Sequence, residues 1–430
     1  MNSNSVTQAI LANIPQPEYY DETILFGEAD YYGASLNIAR QLGLPRAPFS
    51  KSGWRHGWMH YPAKFVSQLT VWGKQESQYL LTQKEDADFL KSHNIQAKAV
   101  GMPFIYADAI DESLRKPNTL LVMPPHTLPY IPAIGNEEDY LLEIERIRHD
   151  FDSVVFCIHH SCFERGIWPD LLKKYGYPMI IGASAHQSNA LVRLQKLFSS
   201  FEYVTSNILG SHIPYAAFCK AKVSFFGTFC DLTQLNYDKD PQAQANPELW
   251  DYIIENSKEA QVKKAMPFMF CEHPKEAGLH TAWAEHELGF ANKKPAHEIA
   301  ELLGWNNAVY QLNQADQYRR ILKGKAMENL LSSLITLPDD IKDDQFAIYG
   351  AGKIGAMILR MLSNFGLKPA CFFDKNYASL QELNGVNVCD PQSISTSSVS
   401  HILVASFVHQ KEISDNILQM RDDIKVWSVD

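Results

Sequence analysis

The sequence predicts an α/β protein with mainly parallel sheets, laid out in three successive blocks. Short apolar runs alternate with stretches of helical periodicity, which is the pattern of βα units. Pro and Gly punctuate the helical stretches: Gly43 closes one, and Pro169 and Gly176 open and close another. Near the C-terminus a strand runs into a glycine fingerprint that opens a helix. A chain of 430 residues exceeds one ordinary core, so two or three domains are expected.

Residues 1–20 read as a loose arm. The first block, residues 1–115, holds a strand at ETILFG, a helix at GASLNIARQLG and a strand at SQLTVWG. A helix at DADFLKSHNI and a strand at AKAVGMPF follow, and the polar DESLRKPN at 111–118 reads as a linker. The second block, 116–335, alternates strands and helices from NTLLVMPPHT through SVVFCIHH, WPDLLKKYG, PMIIGA, NALVRLQKLFSS, EYVTSN and KVSFF. A polar surface excursion (DKDPQAQANPELW) separates these from a strand at PFMFCEHP and a helical tail. The third block, 340–430, carries strand, Gly350-Ala-Gly352-Lys-Ile-Gly355, helix, a strand ending at Asp374 and a further strand at SHILVASF.

Composition narrows the function. At 46% hydrophobic and 20% charged, the chain reads as a soluble globular protein. Its net charge of −10 and the absence of a dense Lys/Arg run argue against nucleic acid as a partner. The first twenty residues lack the basic and apolar regions of a signal peptide, and no window approaches eighteen consecutive apolar residues. Seven cysteines, an odd number without a secretory signal, point to free thiols in a reducing compartment, the cytoplasm.

Four stretches carry chemistry. At 205–227 the strand feeds Ser206 and Asn207, then Gly210, Ser211 and His212, then a helix. Unpaired N–H groups and the dipole at a helix start favour an anion such as phosphate; the plainer reading is Ser211 as an N-cap. In the fingerprint, Gly350 permits a tight turn, Gly352 allows close approach to a pyrophosphate and Gly355 lets helix and strand pack, with Asp374 at the next strand end. It predicts a Rossmann-like fold, serving either a nucleotide or a structural or regulatory role. CIHHSCFERG at 157–166 resembles a metal cluster, but a continuing strand would send Cys157 and His159 one way and His160 and Cys162 the other, so no metal site is expected. Glu164 would follow that strand's carboxyl end. Asp231 after KVSFFGTFC, and Glu272, His273 and Pro274 after PFMFC, are expected at strand ends of the same domain, where ligands gather in open parallel sheets. The DAD at 86–88 falls inside an amphipathic helix and is expected to face solvent.

SNILGSHIPYAAF, FGTFCD and EHP together resemble bacterial glycosyltransferases that use CMP-activated ulosonic acids, above all the retaining β-Kdo transferases of lipopolysaccharide and capsule assembly. GWRHGW at 53–58 and AVGMPFIYAD are similar to acceptor-side segments of such enzymes. The likeness spans roughly residues 22–310. It implies a GT-B arrangement of two Rossmann-like domains, with the last block appended, and a CMP-sugar donor needing no metal or other cofactor. On that likeness Ser206, Asn207, Ser211 and His273 hold the cytidylate, with Pro274 shaping the strand end and Gly210, His212 and Glu272 beside them. Asp231 would be the nucleophile of a retaining transfer and Glu164 the acid/base. Arg165 could pair with the sugar's carboxylate by charge alone. Arg55 and His56 fall on the acceptor side, where a plain surface role is the alternative. The implied partners are a nucleotide-sugar donor, a surface glycan acceptor and glycan-assembly enzymes of the inner membrane. Two other classes compete: an NAD(P)-dependent oxidoreductase built on GAGKIG, and a non-catalytic glycan-assembly protein.

Overall fold

A computed structural model describes residues 3–19, 28–44, 46–48, 50–70, 78–107, 110–126, 137–234, 243–244, 246–305, 345–364, 367–406 and 409–428. The chain divides into two compact units, Met1–Asn313 and Gln314–Asp430. The expected strand at ETILFG, the end of SQLTVWG and the helical tail beyond Trp305, with the expected boundary at 335–340, lie outside the described residues.

In the first unit, β1 (Ser52–Trp54), β2 (Gln78–Leu81) and β3 (Ala97–Ala99) form a three-stranded parallel sheet in that order. A five-stranded sheet holds β4 (Lys116–Met123), β5 (Ser153–Ile158), β6 (Met179–Ile181), β7 (Phe201–Ser206) and β8 (Lys222–Phe225). Its order is β6-β5-β4-β7-β8 and every pairing is parallel. All six residues of β5 are buried, because helices cover both faces, and this is why its sequence is a continuous apolar run. The chain builds β4, β5 and β6 outward in one direction, then returns to place β7 on the other flank of β4. That reversal makes the carboxyl ends of β4 and β7 the switch point, where such sheets open a crevice.

Helices expected from periodicity are present: α2 (Ala34–Gln41), α3 (Lys84–Ser92), α4 (Glu137–Ile147), α6 (Pro169–Tyr175) and α7 (Ala190–Ser200). Gly43 and Gly176 both adopt left-handed φ, +70° in each case, which ends their helices as Gly does most readily.

Several expectations are corrected. The N-terminal arm is not loose: it opens with α1 (Ser3–Ala12), whose Ile10 is fully buried and whose Thr7 hydroxyl lies 2.6 Å from that of Ser153 on β5. Residues 66–68 form a short 3-10 turn rather than a strand. The linker at 111–118 is already structured, with a 3-10 turn at Glu112–Leu114 and β4 beginning at Lys116. PFMFCEHP supplies only a single parallel bridge, Phe225 to Phe270, flanked by 3-10 turns at Pro267–Met269 and Pro274–Glu276. Two prolines that donate no N–H explain why no ladder forms there. The strand at FCIHH stops at Ile158, and α5 (His160–Glu164) starts at once, with the His159 ring accepting from the Ser161 N–H as its cap.

Among its described residues the second unit has six strands, β9 (Phe346–Tyr349), β10 (Phe372–Phe373), β11 (Glu382–Leu383), β12 (Val386–Cys389), β13 (His401–Val404) and β14 (Lys425–Ser428). Their order is β11-β12-β10-β9-β13-β14, parallel except for β11. The helix Lys353–Asn364 follows the glycine turn as expected. Gly355 is required by packing, since a Cβ there would stand 2.0 Å from the Gly350 carbonyl oxygen. Asp374 is spent on the turn itself: its carboxylate accepts from the N–H of Ala351 at 2.7 Å and of Asn376 at 2.8 Å.

Candidate active site

A cavity of about 480 Å³ opens at the switch point of the five-stranded sheet. Met123, Pro124 and His126 reach it from the end of β4, Cys157 and His159 from β5, and Gly182 and Ala183 from β6. Ile208 to His212 enter from β7, where α8 (His212–Phe218) begins. His56, Gly57 and Tyr32 close it from the side of the three-stranded sheet. Two cross-links fix that closure: the Ser211 hydroxyl accepts from the Trp58 N–H at 3.1 Å, and the Tyr215 hydroxyl donates to the His56 carbonyl at 3.1 Å. Leu191, Leu194 and Phe198 of α7 supply an apolar wall, and Trp250 and Ile253 another. Trp250 ends the stretch expected to be a surface excursion, so that stretch returns to the cavity.

Four imidazoles mark the polar part: His56, His126, His159 and His212. Among the described residues, no Asp, Glu, Lys or Arg lines this cavity. The rings of His126 and His159 stack with centroids 4.4 Å apart. Burial pulls the His159 imidazole down to about 3, with His126 and His160 adding to it, and burial with His126 does the same to His212, also to about 3. Both rings are therefore neutral near neutral pH. Because the Ser161 N–H donates to Nδ1 of His159, at 3.2 Å, its proton sits on Nε2. Nε2 of His212 is buried with no hydrogen-bond partner among the described residues. Gly210 makes room for that ring, since a Cβ there would stand 2.8 Å from His212 Nδ1. A neutral imidazole offers one N–H donor, so the pocket suits a polar or anionic group on an apolar body.

The expected site residues divide. Ser211, Gly210, His212 and His56 line the cavity. Ser206 lies beneath it, its hydroxyl donating to the Met123 carbonyl at 2.6 Å, so it ties β4 to β7. Asn207 is buried and donates to the Thr228 carbonyl at 2.9 Å, while its Oδ1 has no partner among the described residues. Asp231 lines a small adjoining pocket of about 100 Å³ that shares Ile208, Leu209, Gly210, Leu232 and Ile253 with the cavity. Its Oδ1 accepts from the Thr233 N–H at 3.0 Å.

The others lie elsewhere. Glu164 is on α5, 64% exposed and 3.3 Å from His160 Nδ1, and neither it nor Arg165 lines the cavity. His273 Nε2 meets Asp150 Oδ2 at 3.1 Å, and its ring stacks on Phe151. The His273 ring also lies 6.5 Å from that of Phe226, just past β8, and His273 is not among the residues lining the cavity. Glu272 lines a different, charged groove with Glu143, Arg146 and Lys263, and Pro274 opens the adjoining turn. The helix start expected to hold phosphate is also weaker than supposed: α8 has seven residues, and Ser211 makes no side-chain cap. In the DAD stretch Asp88 is exposed as expected, but Asp86 is half-buried, and that burial raises its carboxyl against the pull of Arg55. Among the described residues no three His, Cys, Asp or Glu side chains converge as a metal-binding group.

Sequence reasoning missed His126, Tyr32 and Glu28. Glu28 sits under His56, its side chain 1% exposed and Oε1 3.5 Å from His56 Nδ1. Nothing local in GEADYYG marks the glutamate as buried. The HH of CIHHSC is a visible signal for His159, but a strand continued two residues past Ile158 misdirects it.

The fold defines an α/β protein with mainly parallel sheets and a cavity at the switch point of the five-stranded one. No protein-family profile matches the chain, and no curated protein sequence does. Among solved structures, it is similar to UDP-GlcNAc 2-epimerase from Neisseria meningitidis bound to UDP-GlcNAc, at 15% identity and a TM-score of 0.21, over 69% of this chain and 79% of that one. No residue role here follows from a likeness at that level. All seven cysteines are free thiols, and among the described residues no helix is long and apolar enough to cross a membrane.

Proposed function

We propose that the first unit is a glycosyltransferase whose cavity binds a CMP-activated sugar of the Kdo or sialic-acid-like ulosonic class and passes the sugar to a surface glycan acceptor. The observation that carries this reading is the cavity at the switch point, apolar over most of its wall and furnished with neutral imidazoles. A nucleoside monophosphate has this make-up: a flat base and pentose to pack, and one phosphate to receive N–H donors. Nε2 of His212 and Nε2–H of His159 are suited to the departing phosphate, which needs no divalent cation if several fixed donors meet it. Asp231, in the adjoining pocket, has one oxygen held by Thr233 and serves as the nucleophile of a double displacement. Glu164, Arg165, Glu272, His273 and Pro274 take no part.

Titration calorimetry of the full chain against CMP, UDP and NADH tests this. One CMP bound per chain is expected. Silence towards CMP overturns the reading, and binding of NADH alone would move the activity to the glycine turn of the second unit.

A further inference from the structure

A carboxylate buried without donors is costly and marks a position that burial alone does not explain. Glu28 is such a group. Both of its oxygens, and Nδ1 of His56, lack hydrogen-bond partners among the described residues; the ion-pair contact there is Glu28 Oε1 to His56 Nδ1 at 3.5 Å. Arg55 is also close enough to feel its charge, yet forms no ion pair within 4.0 Å among the described residues. The backbone is bent to create this juxtaposition. Tyr32 takes a left-handed φ of +59° and Gly33 one of +83°, where any Cβ would strike the Ser188 carbonyl. The rings of Tyr31 and Tyr32 then bracket His56 with centroids 5.4 and 5.1 Å away. With Nδ1 turned to Glu28, Nε2 is the ring nitrogen left for the cavity.

We infer that Glu28 and His56 form a proton-transfer dyad at the cavity rim, His56 taking the acceptor hydroxyl's proton and Glu28 acting as its positioning residue. This rests on the glycosyl-transfer reading and fills the acid/base role that Glu164, on an exposed helix, leaves vacant. In the second displacement the acceptor oxygen forms its bond to the anomeric carbon as that carbon's bond to Asp231 breaks. The hydroxyl proton passes to Nε2 of His56, and the Asp231 carboxylate is regenerated. Glu28, its Oε1 3.5 Å from Nδ1, faces the ring and stabilises the imidazolium that results by its charge.

Long-range proton–nitrogen correlation spectra of the full chain at neutral pH, with His56 assigned by its loss in His56→Gln, read the tautomer directly. The dyad requires Nδ1–H with the lone pair on Nε2, and reversal to Nε2–H in Glu28→Ala. In transfer assays His56→Ala should lower kcat by about a hundredfold with CMP affinity kept, and added imidazole should restore part of it. Glu28→Gln, which keeps the side chain's shape but not its charge, should lower kcat roughly tenfold with KM unchanged. An Nε2–H tautomer in the wild type, or a full kcat in His56→Ala, overturns the dyad. A wild type that transfers from no nucleotide sugar overturns the glycosyl-transfer reading instead, and the tautomer still decides the dyad.

Discussion

At the scale of single residues His212 matters most, because its ring lines the cavity and its buried Nε2 has no hydrogen-bond partner among the described residues. His212→Ala should weaken CMP binding by about tenfold or more, the effect of losing one hydrogen bond to a charged group, while the thermal unfolding profile stays close to wild type. Gly210→Ala should act on the same ring from outside, since the added methyl meets His212 at 2.8 Å and must displace it. Calorimetry of that variant is expected to show weaker CMP binding without loss of fold. Asp231→Asn should bind CMP normally and transfer no sugar; a fully active variant would remove Asp231 from the chemistry. The polar turn was legible in the sequence as an anomaly between apolar runs, but the destinations of its side chains were not. Ser206 and Asn207 look like ligand groups until carbonyls of Met123 and Thr228 claim them. Those partners are 83 and 21 residues away, and no local pattern encodes them.

Elements read well where periodicity was long and poorly where it was short. The parallel core strands and α7 announced themselves, because burial on both faces leaves an unbroken apolar run and a helix leaves a stripe. PFMFCEHP imitated such a run over a few residues, and its prolines settled it as turns. That reading places Glu272, His273 and Pro274 at a strand end, and none of the three is among the residues lining the cavity. The α1 helix was overlooked because its polar face dominates SNSVTQAILA, although Ile10 is fully buried. Deleting residues 1–12 should therefore lower the unfolding temperature of the first unit, where a loose arm would leave it unchanged. In the second unit Gly355→Ala forces a methyl group to within 2.0 Å of a backbone oxygen. It should cost about 1–3 kcal/mol in denaturant unfolding and leave CMP binding untouched.

At the scale of the whole molecule the neutral histidines couple stability to pH. Burial holds His159 and His212 near 3 in the folded chain, well below the ordinary imidazole value of about 6.5 in the unfolded one. Between those values the unfolded state binds more protons, so stability is present above about 6.5 and is lost as the pH falls towards 3. Thermal melts from neutral to mildly acidic pH should show that loss, with a shallower slope in His212→Gln. The chain also carries two separate places where a nucleotide could be sought, the switch-point cavity and the glycine turn of the second unit. In the latter, Asp374 is already bonded to the turn. The most direct measurement is a crystal structure of the full chain with CMP. The account predicts the phosphate in the switch-point cavity, within about 3.5 Å of Nε2 of His212 or His159. A phosphate on the Gly350–Gly355 turn, with the cavity empty, would contradict it.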